Sequence, residues 1–341
     1  MRKSLSRAAA LFLALGLCGT GLWGCAGSQS APAAAAAPSA QAETEAAAAP
    51  AQTEAAQAEA VSAAEKEETS AADTSKVAGA GDMAAVEEVV EEGMVPVAPS
   101  GLVPGIYKVK ADSSSSMFRI TDCELTVTEG DDVMQAFLTL SGSSYLYLFP
   151  GTAEEAAAAD ASKYIEAGEN AEGKNTFLFP VEALDLGVPC AAFSKNKEMW
   201  YDRTLVFRAD SLPLSAFQEG EVLTPSGLDL DDGEYTAEVA LSGGSGRASV
   251  QSPARLTLKN SRSAEAEVTA ELVWSSANYD YMVVDGEKYL PEIADGHSVF
   301  RIPVTCFDWN MAVIADTTAM SQAHEIEYSL RFDSSSLAPA E

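Results

Sequence analysis

From about residue 100 onward, apolar and polar residues alternate over short runs that are bounded by Gly, Pro, Asp and Ser. Val268, Ala270, Leu272 and Trp274 fall on one face of such a run, and Thr269, Glu271 and Val273 on the other. In the last run His324, Ile326, Tyr328, Leu330 and Phe332 share a face that the pattern predicts to be buried, opposite Glu325, Glu327, Ser329 and Arg331. A period of two is the mark of a strand with one buried face. Asp232-Gly233 and Asp285-Gly286 are turn signals, since these residue types tolerate the backbone of a tight hairpin. The expected class is all-β and antiparallel.

The pattern occurs twice. Gly105-Ile106-Tyr107 returns as Gly233-Glu234-Tyr235, Leu125-Thr126 as Leu256-Thr257, and Tyr145-Leu146-Tyr147 as Tyr279-Asp280-Tyr281. Lys163-Tyr164, Gly173, Phe177 and Pro180-Val181 return as Lys288-Tyr289, Gly296, Phe300 and Pro303-Val304; Asp185, Leu205 and Phe207 return as Asp308, Leu330 and Phe332. Two long copies predict two tandem domains, 98–215 and 226–337, rather than a solenoid of many short units. About seven or eight short strands in each predict immunoglobulin-like β-sandwiches. Between matching landmarks the first copy carries an insert, Thr152 to Ser162. Its alanines and early glutamates predict a helical turn or two, as a surface excursion that leaves the core unaltered.

Ahead of the repeats, Arg2, Lys3 and Arg7 precede an apolar run from Ala8 to Leu17, the build of a secretory signal. Leu22-Trp23-Gly24-Cys25 follows and resembles the bacterial lipobox. The resemblance implies a signal peptide over 1–24, lipidation of Cys25, and a membrane anchor holding the protein on the extracytoplasmic face of a bacterial membrane. Residues 25–97 are Ala, Glu, Gln, Pro and Ser with few large apolar side chains, too little to offset the entropy of ordering. They are expected to be a disordered tether, with at most a short, unpacked helix over Ala84 to Glu92.

The formal charge of -30 argues against nucleic acid as a partner, because phosphate binding draws on clustered Lys and Arg. Catalytic chemistry has little to work with. The chain has two histidines, His297 and His324, and neither sits in the context of a nucleophile elbow. Gly243-Gly244-Ser245-Gly246 lacks the Lys of a phosphate loop and reads as a hairpin loop. After Cys18 and Cys25, three cysteines remain. Cys123 and Cys190 share a repeat, so both a disulfide and buried free thiols are open, with free thiols the default. The chain reads as a non-enzyme.

Asp232 to Tyr235, Ser252 to Leu258, and Glu325 to Asp333 together resemble the near-iron-transporter (NEAT) domains of bacterial surface haem-uptake proteins. Those domains open on a Gly-x-Tyr strand, follow with Pro-Ala-x-Leu and close on Phe-Asp. The resemblance implies haem as cofactor and cargo, with an ABC transporter or other surface proteins as partners. It places Ser115, Ser116, Met117 and Phe118 in a short helical lip over the haem. It also implies an iron ligand at the first tyrosine of a Tyr-x-x-x-Tyr; Tyr201 takes the place of the second, which leaves Lys197 at the ligand position and Gln322 at its counterpart. Met199, Met320 and His324 lie close by in the chain and carry atoms that bind haem iron. Tyr145, Tyr147, Tyr279, Tyr281, Trp200, Tyr201 and Tyr328 are candidates for stacking on a flat ligand. A flavin or corrinoid would suit the missing tyrosine. The other class open at this point is an adhesion or scaffolding module that binds protein or glycan and needs no cofactor.

Overall fold

The computed structural model describes residues 74–79, 81–319 and 324–340, all within one unit that begins at Glu67. The signal segment, Cys25, the tether as far as residue 73, Met320 and Gln322 lie outside the described residues. The described chain is mostly β, in four antiparallel sheets with little helix.

The first half contains β1 (Gly105–Lys108), β2 (Ala111–Ser113), β3 (Ile120–Val127), β4 (Met134–Leu140), β5 (Tyr145–Pro150), β6 (Ile165–Glu166), β7 (Gly168–Glu169), β8 (Asn175–Val181), β9 (Val188–Ser194) and β10 (Met199–Phe207). They form sheets in the orders β1-β3-β4-β8-β7 and β2-β10-β9-β5-β6. The second half contains β11 (Gly233–Ala237), β12 (Val239–Gly243), β13 (Ala254–Lys259), β14 (Glu267–Val273), β15 (Tyr279–Val284), β16 (Glu287–Tyr289), β17 (Glu292–Ala294), β18 (His297–Pro303), β19 (Met311–Thr317), β20 (His324–Phe332) and β21 (Ala338–Pro339). Their orders are β17-β18-β14-β13-β11-β21 and β12-β20-β19-β15-β16. Apart from β21, the second pair of sheets repeats the first strand for strand.

Local irregularities repeat too. A register shift falls between Tyr145 and Tyr147 and again between Tyr279 and Tyr281. Asp185 and Asp308 both take positive φ, 52° and 58°, and each accepts a backbone N–H at 2.8 Å, from Ala209 and Ser334. The phenols of Tyr107 and Tyr235 each donate to a carbonyl four residues back, those of Val103 and Asp231.

Alternation translates into burial. Val268, Ala270, Leu272 and Trp274 are all buried, as are Tyr328, Leu330 and Phe332; Ile326 is half-buried, and His324, at the end of the strand, is exposed. Phe177, Phe179 and Phe207 fill the core of the first half, and Trp274, Phe300 and Phe332 that of the second. Each such ring contributes roughly 2–3 kcal/mol by leaving water. The two cores join through the connecting segment, where the ring of Phe217 meets that of Trp309 edge-on at 5.6 Å and Phe307 donates to the Leu223 carbonyl.

A polar joint lies beside this apolar one. Arg208, at the end of β10, is buried and donates to both oxygens of Asp210 (3.0 and 2.7 Å), to both of Glu91 (2.7 and 3.3 Å) and to Ser329 of β20 (3.2 Å). Ser242 of β12 donates to Glu91 in turn. Burial opposes the guanidinium's charge, but its bonds to Asp210 and Glu91 outweigh burial and raise its pKa.

Two expectations are corrected. The stretch from Ala84 to Glu92 forms no helix, and Glu91 packs into the joint. Further along, Val97 is fully buried and pairs with Leu184. Composition missed this because the stretch is held by contacts distant in the chain: Glu91 with Arg208 and Ser242, the Glu87 N–H with the Ser114 carbonyl, and Val97 with Leu184. Asp285-Gly286 makes the expected turn with φ of 49° and 79°. By contrast, Gly233 opens β11, while Asp232 accepts the N–H of Ser261.

Arg208→Ala leaves Glu91 and Asp210 facing each other without a cation, which costs roughly 3–5 kcal/mol. Urea unfolding of the two proteins measures it, and a loss below about 1 kcal/mol contradicts the joint. Asp185 is buried, and desolvation pushes its carboxyl up to about 6 from 3.8. The folded state therefore holds a proton that the unfolded state releases, and stability falls as pH rises from about 4 to about 6. Asp185→Asn, which keeps the bond to Ala209, should stabilise the protein near pH 7 by up to roughly 3 kcal/mol and by nothing below pH ~4. Equal effects at both pH values would count against it.

Candidate functional site

In the first half the outward residues of β5, β9 and β10 form an aromatic shelf. Tyr147 pairs across the sheet with Phe193, and Phe193 with Trp200. Their ring centroids lie 5.9 and 5.1 Å apart, and Tyr164 closes the group at 5.6 Å from Tyr147 and 4.9 Å from Trp200. Edge and tilted contacts of this kind each add about 0.5–1.5 kcal/mol beyond burial. Tyr147, Tyr164 and Phe193 remain half-buried, while Trp200 is 2% exposed.

Trp200 is covered by the insert. Ala153–Ala158 form the helix α1, opened by a capping box in which Thr152 and Glu155 exchange bonds, as the alanines and early glutamates predict. The helix is more than a surface excursion. Ala153 and Ala156 have no exposure and pack with Ala191 and Trp200 in a small core of their own. The Ala153 N–H donates to Asp202, and the Tyr164 phenol to the Ala156 carbonyl, at 2.6 and 2.9 Å. On the other side Val77 bridges to Trp200, whose carbonyl accepts the N–H of Ala78 at 2.9 Å.

The same register positions in the second half hold Tyr281, Asp316 and Glu325. The Tyr281 phenol donates to Glu325 at 2.7 Å, and this bond, then burial, then the charge of Asp316, pushes it up to about 12. The Lys288 ammonium stands 3.4 Å from the centre of the Tyr281 ring. Asp316 is 2% exposed, and its Oδ2 has no hydrogen-bond partner among the described residues. Burial first, then the hydrogen bond and charge of Asp280, raise its pKa.

The residues implied as haem contacts do not converge. Ser115 to Phe118 form a turn, not a helix. Phe118 is fully buried against Tyr145, whose phenol donates to the Met117 carbonyl, while Ser116 and Met117 are exposed. Tyr201 is buried with the Arg203 guanidinium 5.2 Å from its ring centre. Tyr328 packs on Trp274 at 5.3 Å, and Tyr279 on the same indole at 4.2 Å. Met199 and His324 open β10 and β20 at equivalent positions, the first half-buried and the second exposed. Met320 lies outside the described residues. Lys197 is exposed in the turn between β9 and β10. The described donors Met199, Tyr201 and His324 thus differ in exposure and line neither of the clefts described next.

A cleft of about 510 Å³ lies beside the Ser115–Phe118 turn, lined also by Lys110, Asp112 and Arg119. Another, of about 540 Å³, lies at the joint between Arg208, Glu327 and Asp285. Neither is lined by Met199, Tyr201 or His324. Lys110 and Glu327 form an ion pair shared by both clefts. Among the described residues no group of three or more His, Cys, Asp or Glu is placed to hold a metal ion. Cys123, Cys190 and Cys306 are free and buried. Burial raises all three thiols, Cys123 to about 12 and Cys306 to about 11, so they are poor nucleophiles.

Phe193, Tyr164, Asp316 and Glu325 are site residues that motif reading passes over. The signal that finds them is register: once Tyr147 is matched to Tyr281, the cross-strand neighbours follow. No family model and no curated protein matches the chain.

Thr152→Ala removes half of the capping box and costs about 1 kcal/mol. Amide exchange across Ala153–Ala158 should speed up roughly fivefold, with β9 and β10 unchanged. Unchanged exchange in the helix contradicts its local origin.

Proposed function

We propose that this chain is a lipid-anchored bacterial surface protein whose two immunoglobulin-like, NEAT-like domains, 98–215 and 226–337, hang from the tether of Cys25 and capture a flat ligand. Haem or a related tetrapyrrole leads the class, with flavins and corrinoids beside it, and the captured ligand passes to an ABC transporter or another surface protein. The observation that carries this reading is the shelf of Tyr147, Phe193 and Tyr164 over Trp200, four rings in mutual contact on an outward face. Rings of this kind bind a planar molecule by stacking, and Tyr147, Tyr164 and Phe193 each keep part of their surface exposed.

The scattering of Met199, Tyr201 and His324 shapes the proposal: the ligand is held by its face and not through iron. A second reading, an adhesive or scaffolding module for protein or glycan, is favoured by the Arg208 joint, which ties the halves together. It is also favoured by the cover that α1 and Val77 lay over Trp200.

Titration of the full chain with haemin and with metal-free protoporphyrin IX separates these readings. Stacking predicts saturable binding of both with similar affinity, weakened at least tenfold by Tyr147→Ala combined with Phe193→Ala and unchanged by His324→Ala. Haemin binding that needs His324 and excludes the metal-free ring overturns face-on capture. Binding of neither ring, with a protein or glycan partner recovered, favours the scaffold.

A further inference from the structure

The repeated scaffold presents one outward face twice, and the two copies carry different chemistry there. Where the first half has Tyr147, Phe193 and Trp200, the second has Tyr281, Asp316 and Glu325, in the same order across three neighbouring strands. A ring shelf has become one aromatic wall with the carboxylates of Asp316 and Glu325 beside it. We propose that this face of the second half is a binding site for an alkylammonium group, held by Asp316 and Glu325 against the ring of Tyr281.

Two observations raise the site above an ordinary acidic patch. Asp316 is 2% exposed and its Oδ2 lacks a partner among the described residues, an arrangement that costs free energy unless a donor arrives. Next to it, the chain's own Lys288 ammonium rests on the Tyr281 face at 3.4 Å, the geometry of a cation–π contact. That lysine shows that the aromatic wall accepts an ammonium. An incoming ammonium brings three N–H donors, enough for the free Asp316 oxygen and for Glu325 beside it. A hard divalent ion fits less well, because it asks for six or more oxygens, and two carboxylates do not supply them. The inference does not depend on what the first half binds.

Calorimetric titration of the full chain at neutral pH with putrescine, and separately with Nα-acetyl-lysine methylamide, tests it. One saturable site per chain is expected. Asp316→Asn and the exposed Glu325→Gln should each weaken it at least tenfold with the circular dichroism unchanged. Lys288→Met should tighten it several-fold, since the competing internal ammonium is gone, and Tyr147→Ala should leave it as it was. Tighter binding of putrescine assigns the site to a free amine, and tighter binding of the lysine derivative to an exposed side chain of a partner. No saturable binding, binding indifferent to both acidic variants, or calcium chloride binding in place of the amines overturns the proposal. Failure of porphyrin binding leaves it standing.

Discussion

Each half fills the space between its two sheets with its own side chains, and that constraint decides where function can lie. Phe177, Phe179 and Phe207 on one side of the linker, and Trp274, Phe300 and Phe332 on the other, are buried between the sheets. The clefts described above open beside the Ser115–Phe118 turn and at the joint. The alternation that makes a strand half-buried also fixes which residues are free to vary, because a change facing inward disturbs the packing of a close-packed core.

The joint adds a second constraint. Arg208 is enclosed by three carboxylates and a serine drawn from four separate stretches of chain, Glu91, Asp112, Asp210 and Ser329. A buried guanidinium with its donors satisfied is geometrically demanding. Together with the Phe217–Trp309 contact it ties the two copies to one another and to the stretch around Glu91. Within this frame the two outward faces have separate chemistry, rings in one copy and carboxylates in the other.

Much of the fold was legible in sequence. The face of 268–274 and the buried positions 328, 330 and 332 read from a period of two, while His324 is exposed at the strand end and Ser329, expected outside, is buried in the joint; the duplication reads from Gly-x-Tyr, the paired tyrosines and the closing phenylalanine. What was not legible depends on contacts distant in the chain. A lone arginine at a strand end does not announce that Glu91, 117 residues away, will meet it. Asp232-Gly233 carries a turn's composition, yet Asp232 spends its carboxylate on Ser261 and the glycine begins a strand. Half of the shelf was legible, since Tyr147 and Trp200 stand among the aromatic candidates for stacking. Phe193 and Tyr164 join them only through cross-strand register and the path of the insert.

The central claim is that the outward face of the β10–β9–β5 sheet, and not the ends of β10 and β20, receives the flat ligand. Its most direct test is a map of aromatic ring resonances in the full chain as protoporphyrin IX is added. The account predicts shifts at Tyr147, Tyr164, Phe193 and Trp200, with the rings of Tyr279 and Tyr328 unmoved; shifts centred on His324 and Tyr328, with the first-half rings silent, would contradict it.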